Sequence, residues 1–395
     1  MSEVEFALLE MKEPKTVPAS GVIGYTFLDA VMKYNDNPDY NADGFPKHCA
    51  QNVLKCVVQD LKSYFESIKD WKEHPERYTG MPKLPRYKRK QGITAFRSSN
   101  IECKIHHTER GNYYCSLPKT KVTVPLGKKI PGKLMEVHIA PKNGIYQMTF
   151  VFDDGKDVPV CSESERISAV DSGVDNLMAV TNNCGLPCIL FNGKPLKAIN
   201  QLYNKQIANI MSENTIGTTD RFVPTPHYLR VTLKRNNCVK DYLLKSAKIL
   251  IDWCVENRID TIVLGKNIGW KQESDMGHVT NQSFVQIPHA QLYNIISYLA
   301  EREGINVVEQ EESYTSKASF LSRDAIPSYR CKDEKHNFSG RRVHRGLYKD
   351  KSGKQINADL NGSANILRKA FPNAFKIDPN FNNIRVIRHP DPVLA

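Results

Sequence analysis

The segment ISAVDSGVDNLMAVTNN, residues 167–183, narrows the fold more than any other stretch. It reads as an apolar strand, a tight Ser-Gly turn and a second strand, with one carboxylate, Asp171, at the end of the first. CILFNG (188–193) continues as a third strand. Helical spacing follows from about Pro195 to Met211 and from about Val239 to Asn257, the latter turning Leu243, Leu250, Ile251 and Cys254 inward. TIVLG (261–265) is a buried strand, and His289 to Glu303 is a helix for which Gly304 suits the C-terminal cap. Ile305 to Val308 begins another buried strand, and Asp359 opens a final helix, DLNGSANILRKA.

Three consecutive strands followed by alternating helices and strands is the order of an RNase H-type α/β core. The chain ahead of it has a different texture. Val4, Phe6 and Leu8 alternate as in a strand, whereas Ala50 to Trp71 has helical spacing with Val53, Val57, Leu61, Tyr64, Phe65 and Ile68 on one face. A Pro-punctuated basic stretch, MPKLPRYKRK (81–90), precedes a return to strand patterns at Val122 and Val124, Val137 and Ile139, and Tyr146, Met148, Phe150 and Phe152. The simplest arrangement is a β-barrel-like unit interrupted by a helical insertion between roughly 18 and 95. The Pro- and Asn-rich tail after Phe371 is expected to drape over the surface. A 395-residue chain is long enough for two packed cores, so the expected fold class is a multidomain mixture of α/β and β.

Lys and Arg total 55 against 43 Asp and Glu, a formal charge of +12 that favours a polyanionic partner, most often nucleic acid. No apolar run approaches the ~20 residues that span a bilayer, so no membrane partner is expected. Glu3, Glu5 and Glu10, with no basic residue before Lys12, argue against a secretory signal. Ten cysteines are too sparse for a disulfide scaffold, and Cys49, Cys56 and Cys254 sit in apolar surroundings, which fits a reducing cytoplasm. No GxxxxGK[ST] is present to support P-loop ATP hydrolysis.

The acids carry the chemistry. A carboxylate at Asp171, in a strand of small and apolar residues, is costly unless it is paired or binds a cation. Asp359 starts a helix, and the strand after Gly304 leads into Glu309, Glu311 and Glu312. Three carboxylates from separate regions converging on one sheet make a site for two divalent cations that hydrolyse a phosphodiester, and hard oxygen donors select Mg²⁺ or Mn²⁺. The plainer alternative makes Asp171 a turn residue and Asp359 an N-cap.

AVDSGVDNLMAV, KAINQLYNKQIA, DWCVENRIDTIVLGKNIGWKQE, NQSFVQIPHAQLYNIISYLAE, EESYTSKASFL, FSGRRVHRGLYK and NADLNGSANILRK, in this order, cover most of residues 167–370. Together they resemble the TnpB family, the OrfB-type transposon-encoded RNA-guided nucleases related to miniature type V CRISPR effectors. The resemblance over residues 1–165 is weaker and rests on position and on MPKLPRYKRKQG. It implies a wedge-like β-barrel (1–17 and 96–165), a helical recognition insertion (18–95), a RuvC nuclease domain (166–371) with an insertion at about 320–357, and a tail (372–395). Asp171 matches the first RuvC aspartate and Asp359 the last. Many relatives end the strand TIVLG with a glutamate, where this chain has Gly265. The resemblance implies that Glu312, just before YTSK, completes the catalytic and metal-binding set, with Glu311 the alternative because neighbours on a strand face opposite ways.

The resemblance further implies a guide RNA, double-stranded target DNA with a short flanking motif, Mg²⁺ or Mn²⁺, and a prokaryotic, nucleoid-associated location. Many relatives carry two CxxC pairs between YTSK and the last aspartate. This chain has Cys331, His336 and His344 there, so no zinc is expected and the insertion reads as a basic loop. The residues expected to contact nucleic acid are Lys83, Arg86, Tyr87, Lys88, Arg89 and Lys90, where cations interleave with an aromatic ring, then Arg230, Lys234 and Arg235 ahead of the long helix, and Lys317, Arg341, Arg342 and Arg345. The function implied is RNA-guided cutting of motif-flanked DNA. The alternatives are a small type V CRISPR effector with an array-derived guide and a nuclease-dead, guide-directed repressor, which Gly265 keeps open.

Overall fold

The computed structural model describes residues 24–35, 37–86, 93–160, 165–216, 221–266, 287–327, 336–344 and 346–390. The chain divides into two compact units between Lys156 and Asp157, somewhat ahead of the boundary near 166 that the strand pattern suggests. The strand expected at Val4 to Leu8 lies outside the described residues.

The first unit opens with α1 (Tyr25–Tyr34) and α2 (Lys47–Glu73). Apolar spacing favours Val53, Val57 and Phe65 as the inward face of α2, but these are 49%, 43% and 45% exposed. The buried stripe is Cys49, Ala50, Leu54 and Val58, where Ala50 and Leu54 pack with Tyr40 and the α1 residues Tyr25, Leu28 and Met32. The two candidate stripes are one residue apart, about 100° of helical rotation. The α1 residues that pack on Ala50 and Leu54 select between them.

Strands β1 (Phe96–Ser99), β2 (Lys104–His107), β3 (Tyr113–Ser116), β4 (Thr123–Gly127), β5 (Lys133–Lys142) and β6 (Ile145–Asp153) complete this unit. They form two antiparallel sheets, β1-β5-β6 and β2-β3-β4, with no closed barrel among the described residues. A shared core of Cys103, Cys115, Leu117, Leu134, Val137 and Ile139 lies between them. Among the described residues, the part expected to form a barrel is two small stacked sheets. Stacking the two sheets buries their apolar faces against each other.

The second unit is built on a six-stranded sheet of β7 (Ile167–Ser172), β8 (Asn176–Asn182), β9 (Pro187–Asn192), β10 (Thr261–Lys266), β11 (Asn306–Glu311) and β15 (Asn380–Ile387), in the order β11-β10-β7-β8-β9-β15. β8 runs antiparallel to both neighbours, while β10 is parallel to β7, β11 to β10 and β15 to β9. Alternation along the strands splits the side chains between two cores. Val170, Val180, Ile262 and Leu264 meet helices α4 (Pro226–Glu256) and α5 (His289–Arg302), and α4 also packs on α3 (Lys194–Thr215). Ala169, Ala179 and Val263 meet Leu360, Ile366 and Leu367 of α6 (Ala358–Ala370) on the other face.

Three features depart from the sequence expectations. α4 begins at Pro226 rather than near Val239, because the Thr225 side chain accepts from the Tyr228 N–H and Pro226 suits the first turn. The end of the basic insertion is a small antiparallel sheet of β12 (Arg341–His344), β13 (Leu347–Lys349) and β14 (Gln355–Asn357), not a loop. The tail supplies the sixth strand: Phe381 and Ile384 pack beside Leu190 and Leu360, an apolar pattern that its asparagines mask. Among the described residues no helix is long and apolar enough to cross a membrane.

Candidate catalytic site

Asp171, Glu312 and Asp359 line one cavity of about 970 Å³ at the edge of the central sheet. Asp171 lies within β7, opposite Ala179 of β8, and is not a turn residue. Helix α6 passes so close that a Cβ on Gly362 would stand 2.4 Å from Asp171 Oδ2. The glycine of DLNG is thus the residue that lets a helix lie over this carboxylate. Burial, then the charges of Glu312 and Asp359, push the Asp171 carboxyl well above the usual range, with Arg342 acting in the opposite direction.

Asp359 is not the N-cap. That role belongs to Asn357, whose Oδ1 accepts from the Asp359 N–H (2.9 Å) and the Leu360 N–H (3.1 Å). The Asp359 side chain is then free to project sideways. Its Oδ2 accepts from Asn176 Nδ2 at 2.8 Å, and its Oδ1 accepts from Arg342 Nη2 at 3.3 Å.

Glu312 follows β11 directly and is fixed by a turn. Its carbonyl accepts from the Thr315 hydroxyl (2.8 Å) and the Thr315 N–H (3.2 Å). The turn is in turn held by α6. Asn365 Nδ2 donates to the carbonyls of Thr315 (2.9 Å) and Ala318 (2.7 Å), and Asn361 donates to Ala318 (2.8 Å) while accepting from the Phe320 N–H (3.0 Å). Both asparagines are fully buried. The sequence reading misses this role, although two asparagines one turn apart among the small and apolar residues of this helix are its visible sign. Asn365→Leu removes both of its donors from buried carbonyls. We predict a loss of about 2–4 kcal/mol in unfolding free energy, read from the urea midpoint at unchanged slope; a loss below 0.5 kcal/mol would remove Asn365 from this role.

Neighbouring acids go elsewhere. Glu309 pairs with Lys266. Glu311 accepts from Lys369 Nζ and from the Ser313 N–H, each at 2.6 Å; burial would raise its carboxyl, but these partners outweigh it and hold it below the usual range. Glu312 is pushed up to about 7 by burial and by the charge of Glu311, with Lys369 opposing. A Cβ on Gly265 would lie 2.6 Å from Glu312 Oε2 and 2.5 Å from Ile366 Cδ1. The Glu312 carboxylate thus occupies the space that a side chain on the end of β10 would need. Beneath it, the buried Tyr293 hydroxyl donates to the Gly265 carbonyl (2.5 Å) and bonds Ser172 Oγ (2.7 Å), tying β7 to β10.

The donor set suits a hard divalent cation in kind: three carboxylates in one cavity, two of them in glycine-made cradles. As placed, however, no three His, Cys, Asp or Glu side chains among the described residues converge tightly enough to hold a metal ion. Asp359 faces Arg342 and Asn176 instead.

Of the residues expected to meet nucleic acid, Lys83, Arg86, Arg230, Lys234, Lys317, Arg341 and Arg342 are exposed. Tyr87, Lys88, Arg89, Lys90 and Arg345 lie outside the described residues, as does Cys331. Arg235 departs from expectation. It is half-buried on α4, donates to Asn200 Oδ1 at 2.6 and 2.8 Å and stacks over Tyr203, so it joins α4 to α3. Lys194, at the start of α3, and Arg388, just after β15, also line the cavity. Neither stood out in the sequence, because only the topology brings them to the acids.

Residues 155–271 match the family OrfB_IS605, described as a probable transposase, and residues 289–366 match the Cas12f1-like TNB domain. A TnpB-like protein, ORF457 of Acidianus two-tailed virus, is 24% identical over 213 residues. That alignment takes in 53% of this chain and 42% of the viral protein, so the chain matches less than half the length of that relative. Among solved structures, a Cas12f1–sgRNA–target DNA complex gives a TM-score of 0.38 at 14% identity over 92% of this chain and 90% of that one. CasPhi-2 (Cas12j) bound to crRNA gives 0.37 at 10% identity over 90% and 92%. Both structural likenesses are partial. The two sequence matches take in the three acids, the first running past β10 and the second from α5 through Asp359, and over these residues the chain is similar to the OrfB/TnpB-type proteins.

Proposed function

We propose that the protein is an RNA-guided DNA endonuclease whose second unit is an RNase H-type (RuvC) nuclease domain. One observation carries this reading: β7, the exit of β11 and the start of α6 each deliver one carboxylate to the same cavity. Numbered along the chain, the first five strands of the sheet lie in the order 5-4-1-2-3 with the second antiparallel, the arrangement of RNase H-type cores. Asp171, Glu312 and Asp359 would hold Mg²⁺ or Mn²⁺, and such a pair, when bound, supplies an activated water and stabilises the leaving oxygen of a phosphodiester.

The chain's own groups do the positioning. Gly362 and Gly265 leave room for two carboxylates, Asn357 frees the third from capping, and the Asn361–Asn365 pair fixes the turn after Glu312. Lys194, Arg342 and Arg388 give the cavity cations for a phosphate backbone. In this reading the first unit is the wedge-like part with its helical recognition insertion and reads the motif beside the target. Guide–target pairing then carries the sequence specificity.

The test uses the purified protein with its co-purified RNA, which is sequenced to identify the guide and its source. Asp171→Ala and Asp359→Ala are each expected to reduce cleavage of matched, motif-flanked DNA by at least ~10³-fold while guided binding persists. Undiminished cutting by either variant would remove the assignment.

A further inference from the structure

Arg342 sits where the nuclease reading does not need a cation for folding. It lies on β12, opposite Tyr348 of β13, and the Tyr348 hydroxyl donates to the Lys317 carbonyl at 2.8 Å. β14 ends at Asn357, the cap of α6. The small sheet is thus joined both to the turn beyond Glu312 and to the helix that carries Asp359. It forms a firm base from which one long side chain reaches into the cavity.

The guanidinium makes a single contact with Asp359, at 3.3 Å, and the two side chains are 47% and 30% exposed. A one-point, water-accessible pair of this kind is weak and readily exchanged. Meanwhile Arg342 and Asn176 between them occupy both Asp359 oxygens, the atoms that a cation would take. A divalent cation taken up by Asp359 would repel the guanidinium. The anion then left for Arg342 in the same cavity is a phosphodiester, whose paired oxygens fit its fork.

We propose that Arg342 is an exchangeable counter-ion, pairing with Asp359 before a divalent cation binds and moving to a phosphate of the DNA strand once it has bound. This rests on the nuclease reading above. It gives one residue two effects of opposite sign: it competes with metal, and it holds substrate. A residue of purely structural importance would weaken both.

The experiment measures Mn²⁺ binding to the full-length protein free of nucleic acid, by the electron paramagnetic resonance signal of free Mn²⁺. It also measures DNA cleavage by the guide-loaded protein at saturating Mn²⁺. Arg342→Gln is expected to tighten Mn²⁺ binding about 3–5-fold and to slow cleavage at least ~10-fold. Arg342→Lys keeps the charge without the fork. It should bind Mn²⁺ as the wild type does and still cleave slowly. Unchanged or weaker Mn²⁺ binding by Arg342→Gln, or cleavage at the wild-type rate, overturns the proposal. Asp171→Ala separates this failure from failure of the nuclease reading. If that variant binds Mn²⁺ and cuts like the wild type, it is the metal site itself that is wrong.

Discussion

Gly362→Ala is expected to leave a folded protein with little or no nuclease activity. The added methyl would stand 2.4 Å from Asp171 Oδ2, well inside van der Waals contact. The atom it meets is the free end of a side chain, so the fold can yield by turning the carboxylate aside. Alanine also favours the helix over glycine by about 1 kcal/mol, which offsets part of the strain. The carboxylate therefore moves by roughly an ångström while α6 stays in place, and a displacement of that size at a catalytic group costs about 10²-fold or more in rate. The measurements are cleavage rate and thermal midpoint on the same preparation. Activity above one-tenth of the wild type would show that Asp171 tolerates the move. A collapse of the midpoint would show that α6, not the carboxylate, gives way.

This prediction draws on a feature the sequence displays but does not explain. The order of strands and helices in the second unit is legible because each element is long and apolar, and parallel strands buried on both faces read as continuous runs such as TIVLG. Asp171 stands out for the same reason, as a charge set against apolar texture, whereas Asp359 is marked by its place at the start of the last helix. The cradles at Gly265 and Gly362 are not legible, since they depend on how closely one element lies over another. The ambiguous face of α2 fails differently: the helix carries apolar residues on two adjacent stripes, and only the partner α1 selects Ala50 and Leu54. β15 escapes notice because asparagines at Asn382 and Asn383 interrupt its apolar positions, at the irregularity in its pairing with β9. Arg388 and Lys194 belong to the cavity only once β9 and β15 lie side by side.

Glu312→Gln should abolish cleavage and, at pH 8, make the metal-free protein more stable than the wild type. The Glu312 carboxyl is pushed up to about 7 from its ordinary 4.5. Between those values the folded chain holds a proton that the unfolded chain has lost, so stability from this group is complete below about 4.5 and is lost as pH rises through 7. At pH 8 the wild type carries a buried carboxylate near two other acids, and glutamine mimics the protonated form without that charge. At about 1.4 kcal/mol per tenfold change in proton affinity, the gain is roughly 1–3 kcal/mol, allowing for coupling to Glu311. The same charge would be what draws in a divalent cation, so Mn²⁺ should raise the midpoint of the wild type and leave that of the variant almost unmoved. Thermal melts at pH 5 and pH 8, with and without Mn²⁺, make the comparison. The difference between variant and wild type should be near zero at pH 5 and largest at pH 8 without metal. A gap that ignores pH, or a variant less stable at pH 8, would mean that Glu312 is held in the cavity by packing, with no strain for a metal to relieve.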